Sequence, residues 1–63
     1  MIFGPKIGDP VRVHYRASMA RIMPLHGQRG VIRIVCRGPG PRNHGVEIDG
    51  QVYSVPMGNL VRA

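Results

Sequence analysis

Polar and apolar residues alternate along Val11-Arg12-Val13-His14-Tyr15-Arg16. Val11, Val13 and Tyr15 fall on one side, and Arg12, His14 and Arg16 on the other. A period of two predicts a half-buried strand over about residues 10–16. Val31-Ile32-Arg33-Ile34-Val35-Cys36 is richer still in β-branched residues, which suit a pleated surface. It predicts a strand over about 30–37, with Ile32, Ile34 and Cys36 inward and Val31, Arg33 and Val35 outward. Gly27 and Gly30 lead into it as Gly-x-x-Gly, and glycine suits a positive φ or the close passage of another backbone. Further on, Asp49-Gly50 separates Gly45-Val46-Glu47-Ile48 from Gln51-Val52-Tyr53-Ser54-Val55. Asp-Gly between strand-like runs favours a two-residue type I′ hairpin. That turn sets strands at about 44–49 and 50–56, with Ile48 opposite Gln51 and Val46 opposite Tyr53. Leu60-Val61-Arg62 reads as a short last strand, at about 59–62, after one 3₁₀ turn at Pro56-Met57-Gly58-Asn59.

Between these runs, Ala17 to Leu25 reads as a long, partly structured loop. Ser18 is placed to cap a helical turn, and Pro24 to end it. Arg37-Gly38-Pro39-Gly40-Pro41-Arg42-Asn43-His44 cannot be regular structure and reads as an exposed loop with basic shoulders. The predicted core is Val11, Val13, Ile32, Ile34, Val46, Ile48, Tyr53, Val55 and Leu60. Val31, Val35 and Val52 are left on outer faces, where apolar side chains imply a covering partner or a homo-oligomer.

With 63 residues the chain is one domain over 1–63, and its core spans about 7–62. A domain of this size is marginally stable alone. Cys36 is the only cysteine, so no internal disulfide or Cys-x-x-Cys zinc site is available, and its inward face implies an inert, reduced thiol. Met1 to Lys6 has Pro and Lys too early for a secretory signal, and no apolar run approaches membrane-spanning length. These features imply a cytoplasmic location without membrane attachment.

Charge changes the picture most. Nine basic residues stand against three acidic ones, a formal net charge of +6, and Lys6 is the only lysine among them. Arginine matches phosphate and carboxylate bidentately and stacks on bases, so the first class of partner is nucleic acid and the second an acidic protein. A merely solvated surface built from arginine would have the same composition. Asp9 and Asp49 occupy turns, where Asp bonds its local backbone, and Glu47 is the one carboxylate in a strand. Paired-carboxylate catalysis therefore has little to draw on, no metal or cofactor is implied, and no catalytic residue is assigned.

Five short strands with a long first loop and a single turn before the last strand describe an all-β, small five-stranded SH3-like barrel. Gly8-Asp9-x-Val11, Met23-Pro24, His26-Gly27-x-x-Gly30-x-Ile32 and Val55-x-x-x-Asn59-Leu60 resemble the SH3-like proteins of the archaeal and eukaryotic large ribosomal subunit. Gly27 to Ile32 is also similar to a KOW motif. The long basic extensions of those ribosomal proteins have no counterpart here. The resemblance implies RNA or ribonucleoprotein binding, matched at Arg29, Arg33 and the loop around His26. A second resemblance, at Gly8-Asp9-Pro10-Val11-Arg12, is to plasmid-borne type II dihydrofolate reductases, which are tetrameric SH3-like barrels. Where their pore strand places ligand-contacting Gln and Tyr, this chain has Val52-Tyr53-Ser54-Val55-Pro56 and lacks that pair.

The reading is a small basic RNA- or ribonucleoprotein-binding module acting through arginine–phosphate contacts. Arg29, Arg33, Arg37 and Arg42 form one group of phosphate contacts, Arg12 and Arg16 a second, with His26 beside them. The other classes are an adaptor docking on an acidic protein, an oligomeric reductase-like enzyme, and a mobile-cassette protein. Both tyrosines fall on inferred core faces, so phosphate and shape recognition is favoured over base stacking.

Overall fold

Alternation, β-branched runs and one Asp-Gly turn produce a single antiparallel sheet. The computed structural model describes residues 1–40 and 42–63. Its elements are β1 (Pro10–Val13), a four-residue helix α1 (Ala17–Ala20), β2 (Arg29–Ile34), β3 (Asn43–Ile48), β4 (Gln51–Pro56), a 3₁₀ turn (Met57–Asn59) and β5 (Leu60–Arg62). The strands lie in the order β4-β3-β2-β1-β5. Among the described residues the end strands β4 and β5 do not pair, so the sheet is open.

The Asp49-Gly50 turn has positive φ at both residues, 50° and 83°, as a type I′ turn requires. It sets Val46 opposite Tyr53 and Ile48 opposite Gln51. One face of the sheet then buries Val11, Val13, Ile32, Val46, Ile48, Val55 and Leu60. Tyr53 is only half-buried and packs against that cluster.

Ile34 departs from the expected core, being 59% exposed. Ile32 pairs with Val46 and Ile34 with Gly45, so Arg33 is an extra residue in β2, a β-bulge. Beyond a bulge the in–out alternation is shifted by one. Ile34 therefore lies outside, and Val35, expected outside, packs on the core instead. Ile34 leans over Gly45, where a β-carbon would come within 2.8 Å of the Ile34 Cβ. Cys36, expected inward, is half-buried. Two substitutions should therefore differ sharply. Ile32→Ala removes a fully buried side chain and should cost about 2–5 kcal/mol, whereas Ile34→Thr should stay within about 0.5 kcal/mol. Urea denaturation of the two variants checks this.

Two further expectations change at the ends of the Gly-Pro segment and at the N-terminus. Asn43, expected in the loop, opens β3, while His44 stands in the strand expected to begin there and, opposite Val55, is 2% exposed. Ile2 joins the core because its N–H donates to the Met57 carbonyl (3.1 Å), while the Met57 N–H donates to the Arg42 carbonyl (2.9 Å). The segment before β1 is clasped by Arg62. Its guanidinium donates to Asp9 Oδ2 and to the Phe3 carbonyl, each at 2.8 Å, and Asp9 Oδ2 also accepts the Lys6 N–H. These bonds, the Lys6 amide first and Arg62 second, hold the Asp9 carboxyl below its ordinary range. Arg16 stands in the cap position before helix α1 and makes no side-chain cap, and Ser18 lies inside the helix, so it does not play the capping role expected of it.

Candidate nucleic-acid interface

Strand β1 alternates, so Arg12 projects on the face opposite Val11 and Val13. The β1–β2 ladder places Arg12 directly opposite Arg29. Residues directly opposite in an antiparallel pair share a face, with Cβ atoms about 4.5–5.5 Å apart. Both arginines are exposed. Among the described residues neither makes an ion pair: Glu47 is taken by Arg33 and Asp9 by Arg62, each at 2.8 Å. Two like charges facing each other across a ladder repel, which destabilises the free protein.

Two imidazoles stand at the same end of the sheet. The Gly27 N–H donates to the Val13 carbonyl (2.8 Å) and the Tyr15 N–H to His26 Nδ1 (3.0 Å), folding the turn before β2 back on β1. The His14 and His26 rings then lie 5.3 Å apart, tilted by 47°. Because His26 Nδ1 accepts a backbone proton, Nε2 carries the ring proton. Of the two, His26 is the one the sequence points to as a site residue; His14 joins it only in the fold. The alternation already put His14 beside Arg12, but its contact with His26 depends on the turn at Gly27, which has a φ of 81°. Arg16 follows at this end, at the start of α1.

The other candidates divide differently. Arg33 lies mid-sheet, bound through Nε to Glu47 Oε1. Arg37 and Arg42 are at the far end of β2, beyond the bulge, where with Lys6 they line a cleft of about 210 Å³. The structure thus joins Arg29 to Arg12 and separates it from Arg37 and Arg42. Both tyrosines pack on the core. Among the described residues no three of His, Cys, Asp and Glu gather closely enough to hold a metal ion, and no helix is long and apolar enough to cross a membrane.

His44, at the inner end of that cleft, accepts the Cys36 N–H on Nδ1 (3.1 Å). Burial, and secondarily the charge of Arg42, hold its pKa below 6.5. The unfolded chain therefore binds more protons than the folded one between the depressed value and 6.5, and stability rises with pH across that window. The wild type should lose stability as pH falls from about 7.5 to about 5, with His44→Gln losing less. Denaturant midpoints across that range measure the difference.

The chain matches no family model, and no curated protein or solved structure matches it significantly. Function therefore rests on the geometry and charge of the surface.

Proposed function

We propose that this protein is an RNA-binding module that holds the phosphate backbone on the β1–β2 face. The observation that carries the reading is the facing pair Arg12 and Arg29, without a carboxylate partner among the described residues. A phosphate between two facing guanidiniums removes their repulsion and accepts bidentate hydrogen bonds from each. Arg16 extends the cationic edge, and the exposed His14 with His26 supplies ring surface against which an unpaired base can stack. The net charge of +6 adds long-range attraction. The resemblance to SH3-like ribosomal proteins, carried by His26-Gly27 and Gly30, favours RNA over duplex DNA. An acidic protein would meet the same cations and is the competing partner.

Backbone recognition has a measurable signature. Log affinity for mixed-sequence single-stranded RNA should fall linearly with log salt, by about 0.7 for each phosphate held. Sequence preference should be slight, since few side chains are placed to read base edges. Fluorescence anisotropy titrations at several salt concentrations test this. The absence of RNA binding near physiological salt, alongside a stable complex with an acidic protein, would overturn the reading.

A further inference from the structure

The cleft beyond the bulge is built from three pieces of chain. The N-terminal segment supplies Ile2 to Lys6, the β2–β3 connection supplies Val35 to Arg37 and Arg42, and His44 and Met57 complete it. Burial orders these residues by depth. Ile2, Pro5 and His44 are buried and form the floor; Val35, Cys36 and Met57 are half-buried walls; Lys6, Arg37 and Arg42 are exposed at the mouth. Phe3, 70% exposed, stands at the same mouth. The lining contains three cations and no carboxylate.

His44 gives the floor one directed polar group. Its Nδ1 is occupied by the Cys36 N–H, so Nε2 carries the proton and is a donor. Among the described residues no side-chain nitrogen or oxygen is both fully buried and without a partner, so this N–H is not an orphan in the core but a donor within reach of the cleft that His44 lines.

We propose that this cleft binds a phosphate monoester carrying a single flat ring with an acceptor on its edge, the chemistry of a pyrimidine nucleotide. The cleft, about 210 Å³ and open to solvent at its mouth, has room for one six-membered ring beneath the cations. The ring enters between Met57 and Val35 and accepts from His44 Nε2–H. Its phosphate stays at the mouth among Lys6, Arg37 and Arg42. Phosphate, with a charge of about −1.5 to −2, suits three cations better than a carboxylate does. The site lies at the opposite end of β2 from Arg12 and Arg29, so it stands or falls independently of RNA binding there.

The test is an NMR titration of the full chain with uridine monophosphate, uridine, inorganic phosphate, benzoate and adenosine monophosphate. Uridine monophosphate should saturate in the millimolar range or tighter, shifting the Cys36 amide, the His44 ring and the Met57 methyl. Uridine, phosphate and benzoate should each bind at least about tenfold more weakly, and the purine nucleotide more weakly as well. The double variant Arg37→Ala, Arg42→Ala changes exposed side chains only and should weaken the nucleotide at least tenfold. Arg21→Ala, remote from the cleft, should leave it unchanged. Phosphate binding as tightly as the nucleotide, no shifts at these three residues, or an unaffected Arg37/Arg42 double variant would each overturn the assignment.

Discussion

Replacing Gly30 by alanine should unfold the domain or come close to it. Gly30 sits in β2 opposite Val11, with β3 on its other side. A β-carbon there would collide with the carbonyl oxygen of Glu47 and lie 2.8 Å from both Val46 Cγ1 and Ile48 Cγ1. The two side chains belong to the core and the oxygen to the backbone of the neighbouring strand, so none can give way without moving β3. Overpacking costs about 1–3 kcal/mol and occasionally more, and a clash with backbone belongs at the upper end. A domain of this length has a total stability of only about 3–9 kcal/mol. The thermal midpoint should fall by about 12–24 °C, or the cooperative transition should vanish. Gly38→Ala, where a β-carbon meets open space, should melt within a few degrees of the wild type. Circular dichroism melts of both variants decide the matter; a Gly30→Ala protein that melts with the wild type would contradict the packing described.

Arg12→Ala and Arg29→Ala should act in opposite directions on stability and on binding. In the free protein each substitution removes one member of a like-charged, facing pair, so stability should hold or rise by about 0.2–1 kcal/mol. In the complex each removes a charge-assisted contact to phosphate. Such a contact is worth about 1.5–3 kcal/mol, and tenfold in affinity is 1.4 kcal/mol. Each single variant should therefore weaken RNA binding about tenfold or more, and the salt slope should fall by about 0.7 per arginine removed. The double variant should lose more than either single one, but less than their sum if one phosphate bridges both guanidiniums. Arg33→Ala should be milder, because its Nε is already engaged by Glu47. Arg62→Ala should act chiefly through the Asp9 clasp on the N-terminal segment. Chemical denaturation and salt-dependent titrations on the same protein preparations separate the two effects. Loss of stability together with loss of binding would make the pair structural.

The sheet was legible in the chain because its decisive signals are local. Asp49-Gly50 sets the hairpin register, and every inward residue of β3 and β4 from Val46 to Val55 follows from that parity. Gly27 and Gly30 met both uses of glycine expected of them: one has a positive φ, the other lets β3 pass close. What could not be read were features made by contacts distant in sequence. The bulge at Arg33 leaves no composition mark, so Ile34 and Val35 exchanged places. Asn43 follows a Gly-Pro run and looked like its continuation, although it opens β3. Ile2 enters the core through hydrogen bonds to the 3₁₀ turn far along the chain.

The surface was less legible than the core. Charge alone nominated the arginines, but it could not pair them, because Arg12 meets Arg29 only through the β1–β2 register. Sequence order instead grouped Arg29 with Arg37 and Arg42, which the strand carries to its opposite end. His14 was visible on the polar side of the alternating run, one residue past the end of β1, but its ring contact with His26 required the turn between the strands.

The most direct measurement is amide and arginine side-chain NMR mapping of the wild type titrated with mixed-sequence single-stranded RNA near physiological salt. Shifts should concentrate on Arg12, His14, His26 and Arg29, with the Nε–H groups of Arg12 and Arg29 moving together. Shifts confined to other faces, or none with RNA while an acidic protein perturbs the same arginines, would contradict the account.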